Sequence, residues 1–322
     1  MTVVPHFPRL EEKMKVFPRI LTSVAGALIL AVGVSAQAPA QKPAAVVNGE
    51  AIPHSELEAV IKISTPPSTT PLSEPQKKEI QENCLNLLIE DLLMRQYLRA
   101  NAPVPTAQEI EKEMQELAAS LAVQKKSLPD LLKETGQTDI QLKADIAARL
   151  QWKNFISPRL TDQVVKQYYD TNKVFFDKVL VRASHVLLKV APNAAQADRQ
   201  VVYNRILAIE AEIKAGKITF QDAAKKYSDC PSKDNGGDIG LFPYKFAVLE
   251  PFAKAAFSMK VGDTSGIVPT DFGYHIIKVT DRTQGQPSNF EALKNEVKEI
   301  YAQEIYQYII AEQRKSAKIE RN

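Results

Sequence analysis

Two patterns of hydrophobic and polar positions divide the chain. Between residues 76 and 172 apolar side chains recur at helical spacing, and no continuous strand pattern interrupts them. Hydroxyl residues followed three positions later by Glu or Gln have capping-box spacing, and they predict helix starts at Ser73 with Gln76, Thr106 with Glu109, and Thr138 with Gln141. We therefore expect helical hairpins, preceded by a short β-hairpin in "AAVVNGEAI".

The pattern changes at about Asp177. "KVLVRASHVLLKV" is β-branched and apolar, which is typical of a buried strand. Helical patterns follow over residues 194–215 and 219–228. After them come a polar turn with paired glycines, a short helix in "EPFAKAAFSM", and a hairpin-like pair, "GIVPT" and "YHIIKVTD". Residues 177–282 are predicted to form a small α+β unit.

The last helical pattern covers residues 288–319 and begins with Ser288 and Glu291 at capping-box spacing. Its apolar positions form a stripe along one face: Phe290, Leu293, Val297, Ile300, Ile305 and Ile309. The helix has no core of its own, so we infer that it folds back onto the N-terminal helices. The fold class is then α+β, with residues 177–282 inserted in a mainly helical domain of residues 44–175 that the C-terminal helix completes.

The N-terminus has the pattern of a secretory signal peptide over residues 1–36. Lys15 and Arg19 precede an uncharged, mostly apolar run, and small residues follow for cleavage: Val34, Ser35 and Ala36. Acidic residues before Met14 do not suit this region, so we expect translation to begin at Met14. The apolar run is shorter than the roughly 20 residues of a spanning helix. We expect an exported protein, periplasmic or at the cell surface, without a stable anchor after cleavage; an uncleaved anchor is the alternative.

Charge and cysteine usage narrow the possible functions. The net charge of +3 comes from interleaved basic and acidic residues, which is not the clustered basic face of a nucleic-acid-binding protein. Export permits a disulfide. However, Cys84 lies among apolar residues at helical spacing and Cys230 precedes a glycine turn, so the two make a poor disulfide framework. No close histidine or cysteine pair has zinc-ligand spacing, so no metal or other cofactor is expected.

Four polar residues of the α+β unit are candidates for chemistry: His185, Cys230, Thr270 and His275. The histidines occupy its first and last strands, so their imidazoles can lie side by side if those strands pair at the centre of a sheet. A cysteine with a histidine also allows a thiol hydrolase dyad. That alternative is the weaker one, because Cys230 precedes a glycine turn and not the helix N-terminus that activates such thiols.

Five ordered motifs carry a resemblance to the parvulin-type peptidyl-prolyl isomerases: "VRASHVLLK", "FQDAAKKYSDCPS", "GGDIGLF", "PFAKAAF" and "TDFGYHIIKV". The resemblance implies a small antiparallel sheet with surrounding helices. Outside this unit, "AAVVNGEAI" and the helices after it resemble the N-terminal domain of secretory foldases of the SurA/PrsA type. The expected function is that of an isomerase and chaperone acting on unfolded, proline-containing exported polypeptides.

The resemblance also assigns site residues. It places a polar floor at His185, Cys230, Thr270 and His275, and apolar walls of a proline pocket at Ile239, Phe242 and Phe252. The usual pocket methionine is missing, and its place falls near Val248 in "PYKFAVLEPF", a stretch one residue longer than is usual. A holdase with a weak isomerase site is therefore the alternative function. The loop "KVAPNAAQADRQ" has no arginine pair, so no preference for phosphorylated substrates is expected.

Overall fold

The computed structural model describes residues 42–65, 72–135 and 137–322, which form two compact units. One comprises residues 42–165 with 295–322, and the other comprises residues 166–294. These bounds differ from the predicted ones, because the second unit begins before and ends after residues 177–282. The predicted signal peptide and the start at Met14 lie outside the described residues.

The second unit contains a four-stranded antiparallel sheet in the order β4-β3-β6-β5. Its strands are β3 (Leu180–Lys189), β4 (Asp238–Pro243), β5 (Val268–Thr270) and β6 (Gly273–Thr283). The helices that accompany them are α7 (Lys173–Phe176), α8 (Gln196–Lys214), α9 (Phe220–Tyr227) and α10 (Glu250–Ser258). Every strand and helix that the sequence predicts between Asp177 and residue 282 is found in this unit.

Each face of this sheet has its own apolar core, because side chains alternate between the faces along a strand. On one face, even-numbered residues of β3 such as Val186 pack with α8 and α9. On the other face, odd-numbered residues such as Val181 pack with α10 and with Phe242 of β4. Both histidines lie at odd positions, so they share the face that α10 covers.

The first unit is mainly helical, and the division between the units falls after Val165 and after Lys294. Its strands are β1 (Ala45–Val47), β2 (Glu50–Ile52) and β7 (Ile319–Arg321). The helices of the remaining chain are α1 (His54–Ser64), α2 (Glu74–Asn101), α3 (Ala107–Val123), α4 (Leu128–Thr135), α5 (Asp139–Ile156), α6 (Asp162–Thr171) and α11 (Phe290–Ser316). Within the described ranges, no helix is long and apolar enough to cross a membrane.

The predicted capping boxes at the starts of α2, α3 and α5 are confirmed. At α3, for example, the Thr106 N–H donates to Glu109 Oε2 at 2.7 Å, and the Glu109 N–H donates to Thr106 Oγ1 at 3.2 Å. The boxes at α3 and α5 each satisfy two backbone donors that a helix N-terminus otherwise leaves without partners, and at α2 the Ser73 N–H donates to Gln76 Oε1 at 2.9 Å.

The predicted capping box of Ser288 and Glu291 is wrong. Helix α11 begins at Phe290, and Asn289 caps it by accepting the Ala292 N–H at 3.1 Å. Ser288 instead donates both its N–H and its hydroxyl to Asp177, at 2.8 and 2.6 Å. Asp177, 111 residues away in the chain, accepts the hydrogen bonds that the predicted box assigned to Glu291. No local sequence pattern indicates this long-range contact.

The C-terminus also contains an unpredicted strand. Strand β7 pairs antiparallel with β1, so that Val46 lies opposite Glu320, and it completes a three-stranded sheet in the order β2-β1-β7. Beside it, Tyr306 and Ile309 of α11 are buried in the same apolar core as Leu88 and Trp152. Strand β7 has only three residues and two of them are charged, so no alternating apolar pattern predicts it.

A cluster of charged side chains is buried among the helices of this unit. Arg95 lies 2.7 Å from Asp91 and 3.8 Å from Glu56, which is only 5% exposed. Asp145, 7% exposed, accepts a hydrogen bond from Gln137 at 2.7 Å. Burial raises the pKa of Glu56 to about 7, which Arg95 offsets only in part, and it raises the pKa of Asp145 to about 6, which the Gln137 hydrogen bond and nearby arginines offset only in part.

The helical unit is therefore expected to lose stability as the pH rises. Folded Glu56 keeps its proton between pH 4.5 and about 7, where the carboxyl of an unfolded chain is ionised. The resulting stabilisation is complete below pH 4.5 and is lost as the pH passes about 7. For a shift of this size it amounts to roughly 2–3 kcal/mol.

Glu56→Gln tests this prediction. The variant should match the wild type at pH 5 and exceed its unfolding free energy at pH 8. Trp152, the only tryptophan of the chain, lies in this core and reports its unfolding by fluorescence. Glu58→Gln, an exposed position on the same helix, is the control. An equal pH dependence in the wild type and in Glu56→Gln would contradict the prediction.

Candidate active site

The two histidines of the isomerase-like unit meet at the centre of its sheet. Strands β3 and β6 pair so that His185 lies opposite Ile277 and His275 lies opposite Leu187. This register places the two imidazoles diagonally on one face, with 3.1 Å between the Nδ1 atoms. The rings are stacked, with centroids 5.3 Å apart and planes 23° apart.

Thr270 fixes the far side of His275. Strand β5 pairs with β6 so that Thr270 lies opposite Gly273, and its Oγ1 lies 2.8 Å from His275 Nε2. The same oxygen accepts the Phe272 N–H at 3.2 Å and donates to the Gly273 carbonyl at 3.4 Å.

These contacts determine which nitrogens carry protons. His185 Nε2 is buried and has no hydrogen-bond partner, and a buried N–H without an acceptor costs more than a free lone pair. We therefore assign the His185 proton to Nδ1, where it is donated to His275 Nδ1. His275 then donates from Nε2 to Thr270, whose hydroxyl donates onward to the Gly273 carbonyl.

Both histidines are neutral at physiological pH. His185 is 6% exposed and His275 is 4% exposed. Burial lowers the pKa of His185 to about 4, and burial together with the neighbouring His185 lowers the pKa of His275 to about 3. The pair can therefore accept and donate hydrogen bonds without placing a charge in the site.

Cys230 lies beside the same strand, in the segment after α9. Asp229 donates its N–H to the Leu187 carbonyl at 2.7 Å, and Ser228 Oγ accepts the N–H groups of Leu187 at 3.1 Å and of Cys230 at 3.3 Å. This arrangement brings Cys230 close to the strand edge two residues from His185. The Cys230 thiol is half-buried. Neither Cys230 nor Cys84, which is buried, forms a disulfide.

Gly237 allows the loop after Cys230 to approach β3. Its carbonyl accepts the His185 N–H at 2.9 Å. Its φ is +83°, and a Cβ at this position would lie 2.4 Å from the His185 carbonyl oxygen. Any other residue would have to push the loop away from the strand that carries His185.

Apolar side chains cover the histidines. The Phe252 ring meets His185 edge-on at 5.5 Å and His275 edge-on at 5.4 Å between centroids. Ile239 and Val248, both partly buried, belong to the same apolar cluster. Phe242, which the resemblance assigns to the pocket wall, is 4% exposed and packs between Phe252 and Phe257.

A β-bulge in β4 explains why Ile239 and Phe242 face the same cluster. Between the pairs Arg182–Leu241 and Ser184–Asp238, two residues of β4 oppose one of β3, which shifts the alternation of side chains by one. Asp238 Oδ1 accepts the Gly240 N–H at 3.0 Å, with Gly240 at a φ of +75°. Arg182 Nε in turn donates to both Asp238 oxygens at 3.1 and 3.2 Å.

Sequence analysis did not identify Ser228, Arg182 or Asp238 as supporting residues of the site. The signals were weak. Arg182 is one charge in an apolar strand, and Asp238 directly follows the paired glycines. Within the described residues, no group of three or more His, Cys, Asp or Glu is placed to hold a metal ion.

This sheet, with two central histidines under an aromatic cover, is that of a parvulin-type isomerase domain, and comparison with known proteins agrees. Residues 185–281 match the family described as "Rotamase: PPIC-type PPIASE domain". Two foldase proteins named PrsA are similar over most of their length. That of Geobacillus kaustophilus is 32% identical, covering 68% of this chain and 69% of the relative. That of Caldanaerobacter subterraneus subsp. tengcongensis is 31% identical, covering 73% and 72%.

The chain belongs to the PrsA foldase family. It is a peptidyl-prolyl cis-trans isomerase and a folding chaperone for exported proteins. A solved structure of PrsA from Bacillus anthracis is 23% identical, covers 72% of this chain and 95% of its own, and has a TM-score of 0.40.

The buried histidines make the sheet of this unit sensitive to acid. Their folded pKa values lie below the ordinary 6.5, so the folded state binds fewer protons than the unfolded state between pH 6.5 and about 4. The stabilisation is complete above pH 6.5 and is lost as the pH falls through about 4. It amounts to roughly 3 kcal/mol for His185.

Hydrogen exchange at β3 and β6 amides, corrected for intrinsic rates, should show this loss of protection between pH 7 and pH 4. His275→Gln should reduce the dependence, whereas His54→Gln, on helix α1 of the other unit, should leave it unchanged. Constant protection of the wild type across this range would contradict the expectation.

Proposed function

We propose that the histidine face of the sheet is where the chain isomerises X–Pro bonds. His185, Cys230, Thr270 and His275 form the polar floor, and Ile239, Val248 and Phe252 form the walls that hold the proline ring. Phe242 supports Phe252 from behind. The observation that carries the proposal is the 3.1 Å contact between two neutral, buried histidines directly beneath Phe252.

The chemistry required is rotation without bond cleavage. The barrier about an X–Pro amide arises from resonance and is about 18–20 kcal/mol. In the twisted transition state this resonance is lost, so the amide no longer needs the hydrogen bonds that favour its planar form. A site that grips the ring through apolar contacts and offers few strong donors binds the twisted form better than the planar one. Each tenfold gain in rate requires about 1.4 kcal/mol of such differential binding.

The neutral histidine network suits this role. Each imidazole proton is already donated, from His185 to His275 and from His275 to Thr270, so neither competes for the substrate carbonyl. Cys230 provides a polarisable edge beside the strand. We assign it no covalent step, because rotation needs no nucleophile.

The helical unit is proposed to bind the clients. On this proposal residues 44–175 and the C-terminal helix hold unfolded, exported polypeptides, and residues 177–282 isomerise their prolines. Export through a signal peptide in residues 1–36 would place this activity in the periplasm or at the cell surface.

Substitutions at the floor test the proposed site. In a protease-coupled assay on an unmodified Xaa-Pro peptide, Thr270→Val and the double variant His185→Ala with Cys230→Ala should each lower kcat/KM at least tenfold. The first removes the hydroxyl that orients His275 and the second removes half of the floor. Cys230→Asp should stay within about tenfold of the wild type, because it keeps a polar edge without a thiol.

Leu207→Ala, exposed on helix α8, is the control for these variants and should match the wild type. Wild-type rates in Thr270→Val would overturn the assignment of Thr270. Complete loss in Cys230→Asp, together with rapid labelling of Cys230 by iodoacetamide, would instead support a covalent thiol.

No preference for phosphorylated substrates is expected. Lys189 ends β3 and Arg199 lies in the first turn of α8, but Arg199 is engaged: its Nη2 donates to the Pro192 carbonyl at 2.8 Å and its Nε donates to the Ala194 carbonyl at 3.2 Å. A phosphoserine-proline peptide should therefore have a lower kcat/KM than its unmodified form. Equal or faster turnover of the phosphopeptide would contradict this, and Glu-Pro is the control for charge alone.

A further inference from the structure

The loop between β4 and α10 contains a strained aromatic residue. Phe246 has a φ of +69°, a left-handed conformation that is unfavourable for a bulky side chain. Glycine would occupy this position without strain. A strained residue persists only when its surroundings hold it in place, and such residues cluster at functional sites.

Three consecutive side chains of this loop, Tyr244, Lys245 and Phe246, each contact an aromatic ring elsewhere in the unit. Tyr244 packs edge-on against Phe257 at 5.1 Å between ring centroids. Lys245 Nζ lies 5.2 Å from the centroid of the Tyr168 ring. Phe246 packs edge-on against Phe175 at 5.7 Å, although it is 37% exposed.

Two of these anchors lie outside the segment that matches the isomerase family. Tyr168 belongs to helix α6 and Phe175 to helix α7, whereas the family match begins at residue 185. Both anchors belong to the same compact unit as the loop. The chain before β3 therefore contacts the loop that carries part of the pocket wall.

The residues directly after Phe246 turn in the opposite direction. Ala247 and Val248 pack into the apolar cluster that contains Phe252 and Ile239. The positive φ at Phe246 thus directs one ring toward Phe175 while the following side chains point at the proposed proline pocket.

We propose that Phe246 is a positioning residue for the isomerase site: its contact with Phe175 fastens the loop and sets the place of Val248 in the wall of the proline pocket. This inference rests on the proposed function of that pocket. It makes helix α7 part of the catalytic unit, although the sequence motifs of the isomerase domain do not include it.

Kinetics of full-length variants test the proposal. Phe246→Ala and Phe175→Ala should each raise KM for an Xaa-Pro peptide about five- to twentyfold and change kcat less than twofold, because the wall is displaced while the histidine floor is intact. The double variant should be no worse than the more affected single variant, since both break one contact. Phe246→Tyr keeps an aromatic ring at this position and should therefore keep the wild-type KM.

Two further variants separate positioning from general stability. Phe246→Gly removes the ring together with the strain, so it should raise KM without lowering the thermal midpoint of the isomerase unit. Tyr203→Ala is the matched control, since Tyr203 is also 37% exposed and packs edge-on against Tyr274 at 5.3 Å. It should leave KM unchanged.

The proposal is overturned if Phe246→Ala and Phe175→Ala keep the wild-type KM, or if Tyr203→Ala raises KM equally. Failure of the proposed function has a different signature, namely no acceleration by the wild type. In that event the dissociation constant of the same peptide, measured from the NMR chemical shifts of the Val248 methyl groups, tests the positioning role by itself. A rise in Phe246→Ala supports the positioning role, and an unchanged constant refutes it.

Discussion

The contact between the Nδ1 atoms of His185 and His275 is the constraint on which the isomerase unit depends. Two imidazoles approach to 3.1 Å inside a protein only if one donates to the other, so at least one of them is uncharged. The antiparallel register of β3 with β6 supplies the approach, and burial under Phe252 supplies the neutrality. Displacing either strand by one residue would turn one ring to the opposite face of the sheet.

The rest of the unit maintains this register at its edges. Gly237 brings its carbonyl to the His185 N–H, and Ser228 and Asp229 bond the backbone of Leu187. On β4, the bulge held by Asp238 redirects Ile239 to the covered face. Several features that look like separate irregularities in the chain therefore have one common effect, which is to keep the apolar cluster of Phe252 and Ile239 over the two neutral histidines.

Much of this organisation was predictable from local sequence patterns. Strand β3 is rich in valine and leucine, and the capping boxes at Thr106 and Thr138 depend only on residues three positions apart, so both could be recognised. The contact between Ser288 and Asp177 and the pairing of β7 with β1 join distant parts of the chain, and no periodicity encodes them. The burial of Phe242 was not foreseen because its assignment came from the family resemblance alone, and the bulge that turns its side chain to the covered face depends on the pairing of β4 with β3.

The buried ionisable groups of the two units respond to pH in opposite directions. Burial favours the protonated, uncharged form of Glu56 and Asp145. In the histidine pair, burial disfavours the second ring proton that would make an imidazole charged. A falling pH therefore lowers the stability of the isomerase unit, and a rising pH lowers the stability of the helical unit. An exported protein works in surroundings whose acidity the cytosol does not buffer. There, the pH range in which one molecule can both hold a client and turn its prolines is narrower than the range of either unit alone.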